Sequence, residues 1–193
     1  MSPEKNSKPA QRIQAFSRRA NIDKDHKISA ANDAAIIFLK NISLNDESVI
    51  AFYLPIKNEL DCIPLVMKLD EKGFKLCLPV IVEKEKPMVF REWEEGHELI
   101  KDIAGISCPN PSFKEVKPDY ILMPLVAFDK NANRLGFGNG YYDRSIAKMK
   151  TKPILVGYGF SVQEVDNINN EDHDIPLDFM VTEKEFLQFN KDV

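Results

Sequence analysis

The sequence predicts an α/β fold built on a mostly parallel, twisted sheet. Two apolar runs, Val49–Leu54 and Tyr120–Phe128, do not alternate with polar residues, which is typical of strands buried on both faces. Stretches with helical periodicity separate such runs, and parallel strands need crossover helices of this kind. At 193 residues the chain is expected to form a single domain, Rossmann-like, with helices on both faces of the sheet in three layers. Residues 1–7 are expected to be a flexible polar arm.

The first predicted element is an amphipathic helix over Pro9–Ala20. Ile13 and Phe16 recur at helical spacing and are expected to anchor its apolar face. Lys8 and Arg12 lie four residues apart near the start of the helix, so both cations can point the same way. Taken alone, these two cations are more typical of a solvated helix face.

Capping residues, apolar runs and helix breakers predict the remaining elements. The further predicted helices are Ser29–Lys40 (with Ser29 as cap), Leu60–Lys72 and Glu183–Phe189. The further predicted strands are Lys75–Val80, Met88–Trp93, Pro153–Tyr158 and Asp178–Thr182. Residues 94–119 are rich in proline and are predicted to be irregular.

A glycine-rich stretch, Arg134–Arg144, is the main candidate for a binding site (Arg-Leu-Gly-Phe-Gly-Asn-Gly-Tyr-Tyr-Asp-Arg). It leads from a predicted strand into a helix that is expected to begin at Gly140 or Tyr141. Its alternating glycines allow positive φ angles and close approach of a ligand, and their N–H groups can form an anion-binding nest. Arg134 adds a bidentate donor for phosphate, and Asp143 can hold a metal ion. A polyphosphate carrying Mg²⁺ would fit this arrangement.

The glycine spacing alone is also typical of a tight strand-to-helix connection, and it matches neither the Walker nor the dinucleotide pattern. The flanking residues extend it to a longer string: Pro124, Val126–Asp129, Arg134–Gly136 and Gly140–Asp143. This string closely resembles the signature of the 5-formyltetrahydrofolate cyclo-ligase (methenyltetrahydrofolate synthetase) family.

The resemblance covers nearly the whole chain. It implies an enzyme that uses ATP and Mg²⁺ to convert 5-formyltetrahydrofolate, a reduced formyl-folate, into 5,10-methenyltetrahydrofolate, with release of ADP and phosphate. The formyl oxygen would be phosphorylated, and ring closure would then expel phosphate. Two alternatives stay open: a folate-binding or sequestering protein with weak turnover, and a sugar-phosphate isomerase that uses the glycine loop for a single phosphate.

The resemblance also implies roles for individual residues. The implied ATP-binding residues are Lys8, Arg12, Arg134, Leu135, Gly136, Phe137, Gly138, Asn139, Gly140, Tyr141 and Tyr142. The implied folate-binding residues are Leu54, Glu59 and Tyr142, and the implied metal-associated carboxylates are Asp143 and Asp174. Phosphoryl transfer needs positioning and charge stabilisation rather than a side-chain nucleophile. The residues expected to act in catalysis are Lys8, Arg134 and Tyr142.

Three positions depart from the family pattern. Leu125 stands where a glycine is usual after the proline, and Asn139 stands where glycine or lysine is typical. Asn139 tolerates left-handed backbone geometry better than most residues, so the nest is expected to survive. Cys62 stands where threonine is common, which puts in doubt a side-chain hydrogen bond near the folate loop.

Composition restricts the classes of partner. A net charge of −4 provides no basic footprint for nucleic acid, and no apolar run reaches the roughly 18 residues of a membrane span. The N-terminus lacks the apolar core of a secretory signal. Cys62, Cys77 and Cys108 are odd in number and widely spaced, which favours free thiols in a reducing compartment. We therefore expect a cytoplasmic monomer that binds small molecules, without nucleic-acid or membrane partners.

Overall fold

The computed structural model describes residues 7–171 and 173–190, so the arm predicted at residues 1–7 lies outside the described residues except for Ser7. The helices described are α1 (Lys8–Ala20), α2 (Lys24–Asn41), α3 (Ile63–Glu71) and α4 (Tyr141–Lys148), and a short 3₁₀ helix spans Ser161–Gln163. The strands described are β1 (Val49–Ala51), β2 (Lys75–Val80), β3 (Val89–Trp93), β4 (Leu99–Lys101), β5 (Ser107–Pro109), β6 (Tyr120–Pro124), β7 (Ala127–Phe128), β8 (Arg134–Leu135), β9 (Ile154–Tyr158), β10 (Phe179–Val181) and β11 (Phe186–Gln188).

The central sheet has seven strands in the order β11-β10-β9-β6-β1-β2-β3. The inner strands β10, β9, β6, β1 and β2 pair in parallel, whereas β3 and β11 join the two edges in antiparallel orientation. This topology confirms the predicted α/β fold with a mostly parallel sheet. Two further pairs of strands, β4–β5 and β7–β8, lie outside the central sheet.

Helices cover both faces of this sheet. On one face, α2 and α3 place Phe38 and Leu65 in a buried cluster with Leu122 of β6. On the other face, α4 places Ile146 in a second cluster with Met123. Because Leu122 and Met123 are successive residues of a strand, their side chains point to opposite faces. The result is the predicted three-layer arrangement.

Helix α1 packs against β7 and the 3₁₀ helix, which follow the carboxyl ends of β6 and β9. Its buried residues are Ala15 and Arg19, and Ala15 belongs to a small cluster with Val126 and Leu135. The prediction that Ile13 anchors the helix is wrong, because Ile13 is 71% exposed. A helix that lies on loops rather than on the sheet buries only a narrow strip of its surface, and Ile13 lies outside that strip.

Helix α2 begins earlier than predicted. Asp23 is its N-cap and accepts a hydrogen bond from His26 N at 2.8 Å. The predicted cap, Ser29, lies inside the helix and donates to His26 O. An acidic N-cap complements the positive end of the helix, so the helix can begin at Lys24, upstream of the apolar periodicity.

The C-terminal segment is a β-hairpin, so the prediction of a helix over Glu183–Phe189 is wrong. Strand β10 pairs with β11, and Thr182 Oγ1 accepts a hydrogen bond from Lys184 N in the turn between them. Phe186 and Phe189 lie three residues apart, which imitates helical spacing. Over so short a segment, periodicity does not distinguish a helix from a strand.

Three predicted boundaries also need correction. Residues 94–119 are not wholly irregular, because β4 and β5 form a hairpin whose turn is closed by N–H groups bound to Asp102. The predicted strand Tyr120–Phe128 divides after Pro124, and its last two residues form β7, which pairs with β8. Strand β1 ends at Ala51, which leaves the residues that follow it free to form one wall of a cleft.

Two further observations concern cysteines and hydropathy. Cys62, Cys77 and Cys108 are buried and free, as predicted for thiols outside a disulfide framework. Across the described part of the chain, no helix has both the length and the apolar character needed to cross a membrane.

Candidate active site

A cleft of about 670 Å³ lies at the carboxyl edge of the parallel strands. Every residue predicted above to take part in ATP, folate or metal binding lines this cleft. These residues come from four segments: the start of α1, the loop after β1, the segment from β8 into α4, and the loop that precedes β10. Such convergence is expected, because ligands of parallel α/β sheets bind outside the carboxyl ends of the strands.

The glycine loop, residues 136–140, has the backbone geometry that its sequence predicts. Gly138 and Gly140 have φ angles of 101° and 62°, and Gly140 is the N-cap of α4. Arg12 Nε donates to Gly136 O at 2.8 Å, and a Cβ on Gly138 would lie 3.2 Å from Arg12 Cζ. Asn139 is not among the described residues with positive φ, so the two glycines alone supply the left-handed geometry.

Arg134 and Asp143 form an ion pair beside this loop. Arg134 Nη2 lies 2.5 Å from Asp143 Oδ1, and the two side chains are 7% and 14% exposed. Asp143 Oδ1 also accepts a hydrogen bond from Ile175 N at 3.2 Å. Arg134 Nε is buried and has no hydrogen-bond partner among the described residues. The carboxylate therefore orients the guanidinium, while the Nε–H of Arg134 stays without a partner among the described residues.

Lys8 forms a second ion pair across the cleft. Its Nζ lies 2.6 Å from Asp174 Oδ2 and 3.0 Å from Glu171 Oε2. Burial alone would lower the pKa of Lys8, but the hydrogen bonds to Asp174 and Glu171 outweigh burial and raise it. Burial would likewise raise the pKa of Asp174, yet the Lys8 ammonium and the Glu171 N–H hold it below its usual value. The pair is therefore charged at neutral pH.

Two carboxylates in the cleft offer the oxygen ligands that Mg²⁺ prefers. Each has one oxygen bound to a cation, Asp143 to Arg134 and Asp174 to Lys8. The other oxygens, Asp143 Oδ2 and Asp174 Oδ1, make no hydrogen bond to a described residue. Because Ile175 N binds Asp143, the two carboxylates lie on the same side of the cleft. This donor set fits a hard divalent cation.

The loop after β1 contributes a buried glutamate to the lining of the cleft. Glu59 is 7% exposed; its Oε2 accepts a hydrogen bond from Ile56 N at 2.9 Å, and its Oε1 is buried without a partner among the described residues. Burial raises the pKa of Glu59 to about 7, although the Ile56 N–H, Arg19 and Lys57 oppose this shift. Leu54, in the same loop, also lines the cleft. An unpaired carboxylate oxygen beside an apolar surface suits a flat ligand with N–H donors.

Two tyrosines at the start of α4, Tyr141 and Tyr142, also line the cleft. Burial raises the pKa of Tyr142, so its hydroxyl stays neutral and can donate a hydrogen bond at neutral pH. Tyr141 packs beneath Arg144, whose Cζ lies 5.1 Å from the centre of the Tyr141 ring. Arg144 Nη2 in turn donates to Asn139 O at 2.6 Å, which fixes the end of the glycine loop.

The departures from the family pattern have local explanations. Cys62 Sγ donates to Tyr53 O at 3.0 Å, so a side-chain hydrogen bond persists at this position. Leu125 occupies the space above two glycines: a Cβ on Gly157 or Gly159 would lie 3.1 Å from a Leu125 methyl group. The larger side chain is therefore accommodated by neighbouring small residues.

Three residues near the cleft were not predicted as site residues. Glu171 contacts Lys8, and its ligand atom lies within 4.8 Å of those of His173 and Asp174. Lys57 lines the cleft, and Arg19 is buried behind it. A usable signal existed for Arg19, because it lies seven residues after Arg12 and thus on the same helix face. Glu171 and Lys57 carry no such signal, since solvated loops commonly contain charged residues.

Comparisons with known proteins identify relatives of this chain. A sequence model of the 5-formyltetrahydrofolate cyclo-ligase family matches residues 4–183. A 5-formyltetrahydrofolate cyclo-ligase of Escherichia coli K12 is 35% identical over 141 residues, which are 69% of this chain and 76% of that protein. A Haemophilus influenzae protein of the same name is 30% identical over 165 residues, 82% of this chain and 88% of that protein. The solved structure of Aquifex aeolicus 5,10-methenyltetrahydrofolate synthetase superposes with a TM-score of 0.82 at 28% identity, covering 95% of this chain and 93% of that one.

Proposed function

The chain belongs to the 5-formyltetrahydrofolate cyclo-ligase family, and we propose that its cleft uses ATP to convert 5-formyltetrahydrofolate into 5,10-methenyltetrahydrofolate. One observation carries this proposal beyond family membership. The charged residues suited to a polyphosphate, from α1 and the segment from β8 into α4, and the buried Glu59 suited to a folate, from the loop after β1, line one cleft. A protein that only sequesters folate has no need for the first set.

The reaction requires activation of a poor leaving group. The formyl oxygen attacks the γ-phosphorus of ATP, and the bond from that phosphorus to ADP breaks, which gives an iminium phosphate. The folate's second amine then attacks the formyl carbon and loses its proton. The carbon–oxygen bond breaks last, and phosphate leaves with the former formyl oxygen. Neither step needs a covalent enzyme intermediate, so the protein contributes orientation and electrostatic stabilisation.

The cations of the cleft suit the triphosphate. From α1, Arg12 reaches the glycine loop at Gly136 O and Lys8 reaches Asp174, while Arg134 is held beside the loop by Asp143. These side chains, together with the N–H groups of residues 136–140, would stabilise the charge that develops on the transferring phosphoryl group. Such preorganised groups need little reorganisation during the reaction.

The folate ring would lie against the loop after β1. The unpaired Oε1 of Glu59 can accept hydrogen bonds from the pterin's amino and ring N–H groups, which are strongest when the carboxylate is ionised. Leu54 would support the face of the ring. Tyr142 lines the cleft near both Glu59 and Arg134, so its neutral hydroxyl can donate to the formyl or phosphoryl oxygen.

We also propose that Mg²⁺ accompanies ATP. Asp143 and Asp174 would hold the ion, which would supply neutralisation of the phosphate oxygens. Arg134 and Lys8 orient these carboxylates in the absence of a nucleotide. We further propose that the chain acts as a single-domain monomer in the cytoplasm, where its buried free thiols suit a reducing environment.

Release of ADP, measured with and without the formyl-folate, tests the proposed function. We expect ADP release to depend on the formyl-folate and to match the methenyl product formed. Arg134→Ala should reduce the rate by at least 10²-fold, whereas Lys130→Ala, an exposed residue outside the cleft, should leave it unchanged. Tight folate binding without ADP release would indicate a sequestering protein and would contradict the proposal.

A further inference from the structure

Arg19 is a buried cation without a buried counter-ion bound to it. Its side chain is 1% exposed, and it forms no ion pair with a described carboxylate. Its guanidinium instead donates to two main-chain carbonyls, Nη1 to Leu125 O at 3.1 Å and Nη2 to Lys57 O at 2.8 Å. Burying a charge costs free energy, so an arginine fills this space at a larger free-energy cost than an apolar side chain would. These bonds join the end of β6 to the loop that carries Glu59.

The same guanidinium also contacts the glycine loop through an aromatic ring. Arg19 Cζ lies 5.9 Å from the centre of the Phe137 ring, and Lys57 Nζ lies 5.0 Å from it. Phe16 of α1 completes the contact, with ring centres 5.6 Å apart. Phe137 therefore interacts with a cation from α1 and a cation from the Glu59 loop. Cations near aromatic rings attract the ring face, most strongly when desolvated.

We propose that Arg19 is a positioning residue, which holds the Glu59 loop and the glycine loop at a fixed separation so that both substrates meet at Tyr142. The proposal rests on the proposed function, because it assigns one loop to each substrate. It goes beyond that function by giving a role to a residue that lies behind the cleft and touches neither substrate.

Electrostatics give Arg19 a second effect that can be measured. The titratable and charged groups that act on Glu59, or on which Glu59 acts, are Arg19, Lys57, Tyr53, Cys62 and Tyr142. Burial raises the pKa values of the two tyrosines and the cysteine, so these three stay neutral between pH 5 and 8. Among these tyrosines, the cysteine and Glu59, only Glu59 changes its charge near neutral pH. The Arg19 charge favours the ionised form of Glu59.

The test compares Arg19→Met, Arg19→Lys and the control Arg18→Met, an exposed neighbour on the same helix. Steady-state KM values for the formyl-folate and for ATP are measured with the full-length protein from pH 5.5 to 8.5. For Arg19→Met we expect a KM for the formyl-folate raised about tenfold or more, with a smaller change for ATP. The midpoint of the pH dependence should move to higher pH by roughly one unit. A role confined to general stability would not move this midpoint.

Arg19→Lys separates the two effects. It keeps the charge, so the pH midpoint should stay within a few tenths of the wild-type value. A lysine lacks the planar fork that reaches both carbonyls, so the KM for the formyl-folate should still rise. If Arg19→Met does not fold, Arg19→Lys and Phe137→Leu decide the matter, and wild-type KM values for the formyl-folate in both would overturn the proposal.

The activity of the wild-type protein distinguishes failure of the proposed function from failure of the role assigned to Arg19. If the wild type releases no ADP with the formyl-folate, the proposed function itself fails. If the wild type is active and folded Arg19→Met keeps both the wild-type KM for the formyl-folate and the wild-type pH midpoint, only the role of Arg19 fails.

Discussion

Replacing Glu59 by glutamine should stabilise the protein at alkaline pH while it impairs folate binding. The glutamine is isosteric with the protonated acid and can still accept the hydrogen bond from Ile56 N. It cannot ionise, so the free energy needed to bury a carboxylate disappears. Because the pKa of Glu59 is raised by burial to about 7, the folded protein binds a proton that the unfolded chain has released.

The sign and size of the effect follow from this difference in proton binding. Well below pH 4.5 the carboxyl group is neutral in both states, so wild type and variant should be equally stable. As the pH rises towards 7, the unfolded chain ionises first and the wild type loses stability. Above about pH 7 the loss reaches about 3 kcal/mol, which corresponds to a Tm difference of roughly 6–12 °C for a chain of this size.

Thermal unfolding at pH 5 and pH 8 measures this difference. We expect Glu59→Gln to raise Tm at pH 8 and to change it little at pH 5, while an exposed control, Glu98→Gln, changes neither. The KM for the formyl-folate should rise at least tenfold, since a charge-assisted hydrogen bond contributes about 1.5–3 kcal/mol. A variant no more stable than wild type at pH 8 would refute the reasoning, because it would mean that Glu59 is not a desolvated acid.

Three other substitutions test the ATP side of the cleft. Asp143→Asn should lower turnover by roughly 10²–10³-fold and raise the Mg²⁺ concentration required, with folding retained; near-normal turnover at limiting Mg²⁺ would remove Asp143 from the site. Lys8→Ala should lower the free energy of unfolding by at most about 1 kcal/mol but lower ATP-dependent turnover at least tenfold. A large loss of stability in calorimetry together with unchanged turnover would contradict this role for Lys8. Gly140→Ala should destabilise by about 1–2 kcal/mol, because φ is 62° and the new Cβ would lie 2.8 Å from Arg144 Nη1; an unchanged Tm would contradict the strained geometry.

Local signals in the sequence were sufficient for the glycine loop. Alternating glycines followed by a carboxylate in the first turn of a helix require particular φ angles and a particular N-cap, and these depend on few long-range contacts. The structure has Gly140 as the N-cap of α4 and Asp143 in its first turn. The buried strands were predictable for a similar reason, since apolar runs without alternation have few alternatives in a sheet covered on both faces.

Features that depend on packing between distant segments were not predictable. The apolar side chain of Ile13 suggested an anchor, but only the path of α1 over the loops determines that Ala15 and Arg19 are buried instead. The pairing of Lys8 with Glu171 joins opposite ends of the chain. The pKa of Glu59 likewise depends on the segments that cover it, which no spacing within the sequence reveals.

The central claim is that the cleft phosphorylates the formyl oxygen of 5-formyltetrahydrofolate. The most direct measurement uses substrate labelled with heavy oxygen in the formyl group and follows the label by mass spectrometry of the products. The account predicts that one labelled oxygen appears in the released phosphate for each ADP and each methenyl product formed. Label that appears in water, or ring closure that proceeds without ADP release, would contradict it.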